Sequence, residues 1–226
     1  MPQDRARRAF GIDVISDVVC PWCYIGKRRL SAALSRVAQR HGDVDFRVSW
    51  HPFELNPDLP AEGVDRRRYL EDKFGGRERA EEVYARVREA GASVGLAFDF
   101  ERIARQPNTL DAHRLVAWAQ RQGAADTLVE ALFRAYFVDG VFLCERDALA
   151  AIAGAAGFDA DAARSMLAGS DGVDEVRALE SRVRELGVTA VPFFVFDDRF
   201  AVSGAQEPDA LAEVIEEALA TQSGAG

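Results

Sequence analysis

Cys20 and Cys23, separated only by Pro21 and Trp22, are the residues of this chain best suited to chemistry. The attacking species in disulfide exchange is a thiolate, so a reactive first cysteine needs a lowered pKa. The free amides and positive dipole end at a helix N-terminus favour such an anion. Two intervening residues let the second cysteine turn on a mixed disulfide held by the first. Pro21 suits the first turn of a helix, where its missing N–H costs nothing. A zinc half-site competes as a reading, but Cys144, His41, His51 and His113 stand at no ligand spacing, and no metal is expected. Two inert core cysteines fit less well at a strand-to-helix turn around Pro-Trp.

The flanking segments supply that turn. Phe10 to Ile15 alternates loosely, as a strand would, and apolar residues from Ile25 to Val37 keep helical spacing up to Gly42. Val44, Phe46, Val48 and Trp50 alternate with polar residues, predicting a second strand that Pro52 and Pro57 end. From about Asp65 to Leu186 the period is helical, most clearly in Leu128, Val129, Leu132, Phe133, Tyr136 and Phe137. Asn108 or Thr109 caps a helix to Gln122, Asp147 to Ala156 is another, and Gly187 stops one through Val173 and Leu186. Strands return at Pro192–Phe196 and Phe200–Ser203 about an Asp-Asp-Arg turn, and Pro208 opens a closing helix. The order βαβ, helices, ββα predicts one αβ domain split by an insertion, since a two-stranded sheet alone is marginal. The expected boundaries are 1–60, an all-helical 61–172, and 173–226.

Composition narrows the function classes. With 226 residues and 48% hydrophobic content the chain buries a core without disulfide scaffolding. A net charge of −9 argues against nucleic-acid partners and anionic membranes. The basic stretch from Met1 to Arg8 lacks the apolar run of a signal peptide, and no segment approaches a membrane span, so a cytoplasmic location is expected. Cys144 reads as a packed free thiol and His113 as a satisfied side chain. Arg66, Arg67 and Arg68 read as a solvated helix face, with Glu71 and Asp72 one turn on.

The chain resembles DsbA-type thioredoxin-fold proteins, most closely the FrnE-like branch. The resemblance rests on Cys20-Pro21-Trp22-Cys23-Tyr24-Ile25-Gly26, Phe53-Glu54-Leu55-Asn56-Pro57, Asn108 to Leu115, Val191 to Phe196 and Ser203 to Gln206. It implies a thioredoxin fold, a cis bond before Pro192, packing of Pro192 beside the cysteines, and backbone contacts from Val191 to an extended peptide. Two departures stand out. Thioredoxins carry a buried carboxylate six residues before the first cysteine, where this chain has Val14, leaving Asp17 or water to take the proton of the second thiol. Related glutathione-dependent isomerases and kappa-class transferases carry serine at the first cysteine and grip glutathione with Gly-Ser-Asp, where this chain has Gly204-Ala205-Gln206.

The leading expectation is a thiol–disulfide oxidoreductase or isomerase. Cys20 attacks and Cys23 resolves, with Pro21, Trp22, Val191 and Pro192 facing the substrate. Its partners would be disulfide-containing proteins or small disulfides. No resident cofactor is expected, with glutathione the candidate electron donor, and the oligomeric state stays open. The alternative is a glutathione-dependent isomerase or polyketide-tailoring enzyme. An interaction protein with a vestigial site fits an intact cysteine pair poorly.

Overall fold

The computed structural model describes residues 7–223, so most of the basic stretch from Met1 to Arg8 lies outside the described residues. Strand β1 (Arg8–Ser16) runs into helix α1 (Pro21–Arg40), and the chain returns as β2 (Val44–Pro52), parallel to β1. A parallel pair needs a crossover of this kind, and α1 supplies it. After the helical region, β5 (Phe193–Phe196) pairs antiparallel with β1, and β6 (Phe200–Ser203) with β5. The sheet order is β2-β1-β5-β6, which puts β1 in the interior. The β5–β6 turn holds Asp197 and Asp198 at φ 52° and 55°, as a type I′ turn demands. Helix α9 (Pro208–Ser223) closes the fold.

Period-two alternation sends Phe10, Ile12 and Val14 to one face of β1, with Phe194 and Phe196 opposite Val14 and Ile12. There they join Ile25, Leu30 and Val37 of α1 and Leu211, Ile215 and Leu219 of α9 in the main core. Ile15 packs in a smaller cluster with Phe53, Val183 and Val188. This is the expected thioredoxin-type βαβ…ββα arrangement around an insertion.

The intervening elements are β3 (Val64–Asp65), α2 (Arg66–Phe74), α3 (Arg77–Ser93), β4 (Arg105–Gln106), α4 (Leu110–Gln120), α5 (Ala125–Phe137), α6 (Arg146–Ala155), α7 (Ala160–Ala168) and α8 (Val173–Glu185). The stripe from Leu128 to Phe137 is the buried face of α5. It meets α1 through Tyr24, which stacks on Phe133 at 4.9 Å and donates to Glu130 at 2.6 Å, and through Lys27, 2.9 Å from Asp126.

Three expectations need correction. The segment 61–172 is not all helical, because β3 and β4 pair antiparallel; two-residue strands are too short to show a period. Strand β2 continues through His51 to Pro52, which a sheet-edge position tolerates. Arg66 is buried rather than solvated, while Arg67 and Arg68 are exposed. Its guanidinium donates to Gln106 Oε1 and to the Tyr136 hydroxyl and lies 5.1 Å over the Tyr84 ring. Those partners outweigh the usual preference of arginine for water.

Candidate active site

The site forms where β1 ends. Cys20 occupies the N-cap position of α1 in extended conformation, and its carbonyl accepts the Cys23 amide at 3.0 Å. Pro21 is the first helical residue, and no acidic side chain in the first turn offsets the positive end of the helix. Cys20 Sγ lies 3.7 Å from the carbonyl oxygen of Val191, toward which the thiol can donate. Trp22 stands at the surface, 38% exposed, whereas Pro21 and Val191 are half-buried.

The Val191–Pro192 bond is cis, as the resemblance implied. The Pro192 carbonyl accepts the Gly204 amide at 2.8 Å, tying the loop to the end of β6. Gly26 lets α1 approach this loop. A Cβ there would stand 3.0 Å from Pro192 Cγ and 3.1 Å from Phe194 Cζ. The sequence offered this glycine within the Cys-Pro-Trp-Cys-Tyr-Ile-Gly run but gave no reason to assign it a role.

The two thiols differ in setting. Both are buried, Cys20 being 5% and Cys23 1% exposed, and burial pushes the Cys23 pKa well above the usual thiol range. The hydrogen bond and charge of Cys20 push the same way, while the Ser16 hydroxyl and the Asp17 backbone act to lower it.

Behind the cysteines lies a buried polar group that periodicity could not reveal. Asp17 is fully buried; its Oδ2 accepts the Leu55 amide at 2.8 Å, and its Oδ1 lies 3.4 Å from His113 Nε2. Glu54, also buried, donates its amide to Glu180 Oε1 at 2.7 Å, and Arg184 donates to both the Glu54 carbonyl and Glu180. Burial raises the Glu54 carboxyl to about 7, against the attraction of His113 and with the repulsion of Glu180 and Asp17. His113 Nε2 is buried and faces Asp17 Oδ1 without a hydrogen bond of regular geometry among the described residues. Val14, at the position of the missing carboxylate, is buried by β1 between Trp50 and Phe194. Cys144 sits apart, half-buried, with its Sγ 3.6 Å from the Asn108 carbonyl oxygen.

This fold and site define a thioredoxin-type protein, and residues 11–216 match the family model of the DSBA-like thioredoxin domain, to which the chain belongs. It is similar to a probable DsbA oxidoreductase from Streptomyces coelicolor, at 33% identity and a TM-score of 0.84, over 93% of this chain and 90% of that one. Among curated proteins it is similar to YwbO of Bacillus subtilis, an uncharacterised protein, at 25% identity over 90% of this chain and 94% of that one. The cytosolic disulfide reductase DsbM of Pseudomonas aeruginosa shares the fold at 17% identity, with a TM-score of 0.63 over 92% of this chain and 98% of that one. A DsbA-like thiol oxidoreductase is therefore the class to which the chain belongs. No helix among the described residues is long and apolar enough to cross a membrane.

Proposed function

We propose that the chain exchanges its Cys20–Cys23 dithiol with disulfides of proteins or small molecules. The observation that carries this reading is the placement of both thiols at one helix start: Cys20 occupies the N-cap position of α1, 3.7 Å from the Val191 carbonyl oxygen, and Cys23 follows in the first turn of that helix. In the reaction the Cys20 thiolate attacks one sulfur of the client disulfide, and the other sulfur leaves as a thiolate. Cys23 then loses its proton and attacks Cys20 Sγ, and the remaining client sulfur departs. The client gains two electrons and the cysteine pair becomes a disulfide.

Trp22 and the Val191–Pro192 segment would border the client, with Pro21 fixing the turn between the thiols. In a cytoplasmic glutathione pool the dithiol form would predominate, so reduction or isomerisation of clients is the expected direction and glutathione the expected electron donor. The same reading divides the chain into thioredoxin-fold segments 1–60 and 173–226 around an insertion, 61–172.

Trapping tests it. Cys23→Ala removes the resolving thiol, so the variant should stall as a mixed disulfide on Cys20 that reductant releases. Mass spectrometry of the variant after incubation with cell extract should find protein adducts. Adducts of glutathione alone would favour the glutathione-dependent isomerase. An unmodified Cys20 that still reacts with a small alkylating reagent would refute disulfide exchange.

A further inference from the structure

Gly26 and Arg29 stand three residues apart on α1 and are neighbours on its surface. Gly26 lets the helix come up against Pro192, since a Cβ there would stand 3.0 Å from its Cγ. Arg29 reaches the loop that follows β6. Its Nη1 donates to the Ala205 carbonyl at 2.6 Å, and its Nη2 pairs with the Glu207 carboxylate at 2.7 Å. Among the described residues, no other side chain from outside the loop donates to a backbone oxygen of residues 203–207.

That loop leads back to the thiols. Gly204, at φ 82°, donates its amide to the Pro192 carbonyl at 2.8 Å, and Ser203 stands opposite Phe193 in the β5–β6 pair. Next to Pro192, the Val191 carbonyl oxygen lies 3.7 Å from Cys20 Sγ. Two hydrogen bonds, through adjacent Ala205 and Gly204, therefore connect Arg29 to the segment beside the attacking sulfur.

Stability alone is a poor reason for an arginine here. Arg29 is 9% exposed, yet the Glu207 side chain is 69% exposed, and the buried Arg29 Nε has no hydrogen-bond partner among the described residues. Removing a guanidinium from water for such a pair stabilises little, and an apolar side chain of similar volume often packs as well. What the arginine supplies, and an apolar residue would not, is a directed bond that fixes the loop against α1.

We propose that Arg29 is a positioning residue for peptide clients: it clamps the loop at Ala205 to α1 and so holds the Val191–Pro192 segment where an extended peptide docks beside Cys20. The proposal rests on the dithiol reading above and deepens it. A peptide that bonds to the backbone of Val191 depends on where that backbone stands. A small disulfide needs only an open path to Cys20. The clamp should therefore matter more for peptides than for small disulfides.

The test uses the full chain in a Cys144→Ala background with two substrates that share one leaving group. One is a flexible peptide whose single cysteine is joined through a disulfide to 5-thio-2-nitrobenzoate, and the other is N-acetylcysteine amide joined to the same group. In both, Cys20 bonds to the cysteine sulfur, and the aromatic thiolate leaves with the electron pair of the broken S–S bond, giving the colour read in stopped flow. Arg29→Met keeps an unbranched stem, releases the exposed Glu207 to water and leaves the half-buried Ala205 carbonyl to solvent. Its rate constant at low substrate should fall about tenfold more for the peptide than for the amide, within what small misplacements cost. The extra loss should lie in the concentration giving half-maximal rate rather than in the plateau, as expected when binding is weakened. Arg29→Lys, which keeps the charge but not the paired donors, should fall between Arg29→Met and the background protein.

Absence of colour from both substrates in the background protein would defeat the dithiol reading itself. Normal release there, with equal changes for the two substrates in folded Arg29→Met, would overturn the clamp alone. Should circular dichroism show Arg29→Met to be unfolded, the same comparison in Arg29→Lys decides. A loss confined to the peptide upholds the clamp, and an equal effect on both substrates overturns it.

Discussion

Replacing Glu54 by glutamine should raise stability at alkaline pH and leave it unaltered in acid. The Glu54 carboxyl ionises near 7 in the folded chain against an ordinary 4.5, chiefly because burial penalises its charge. Between those values the folded state holds a proton that the unfolded chain has released. Stability therefore falls as pH rises through this window and levels off above about 7. At about 1.4 kcal/mol per pH unit the full penalty is about 3 kcal/mol, and partial solvent screening brings it toward about 2. Glutamine is close to isosteric and carries no charge to bury. Urea denaturation of both proteins at pH 5, 6, 7 and 8 measures the effect. The gap should be under about 1 kcal/mol at pH 5 and widen to about 2–3 kcal/mol at pH 8, glutamine being the more stable. A difference that stays constant across the series would refute the claim that Glu54 is charged at a cost.

Two further outcomes follow from the packing around the thiols. Gly26→Val, whose Cβ would begin 3.0 Å from Pro192 Cγ, should cost about 1–3 kcal/mol in urea denaturation and alter the alkylation rate of Cys20 by moving the loop beside it. Cys144→Ala should lose about 1 kcal/mol or less and keep full disulfide-exchange activity, because that thiol is half-buried against Asn108, apart from the pair; lost activity in a folded variant would reveal a second redox centre.

What the sequence disclosed and what it hid divide along physical lines. Local patterns carry β1, β2, α5 and the strand-to-helix turn at Cys20, because each is written in residues two to four positions apart. The Asp-Asp-Arg turn was visible for the same reason. Helix α7 was overlooked, since Ala160–Ala168 is rich in alanine and only Met166 and Leu167 are large apolar residues in it. The buried state of Arg66 depends on Tyr84, Gln106 and Tyr136, which no spacing rule brings together. The meeting of Asp17 with His113 was hidden in the same way. Asp17 could be named as a substitute base from its nearness to Cys20, but its partner comes from α4, nearly a hundred residues later.

The strand order bears on how the chain comes off the ribosome. Strand β1 emerges first, yet its partner on one side, β5, comes after the whole insertion. Until Phe196 has been made, one edge of an apolar strand waits unpaired, and such an edge invites association with other chains. Closing so distant a pair is also slow compared with forming helices. The cysteines share this delay. Their turn is written within a few residues, but Val191 comes 171 positions after Cys20. A nascent chain therefore carries its thiol pair through the synthesis of the whole insertion without the loop that flanks it in the folded molecule.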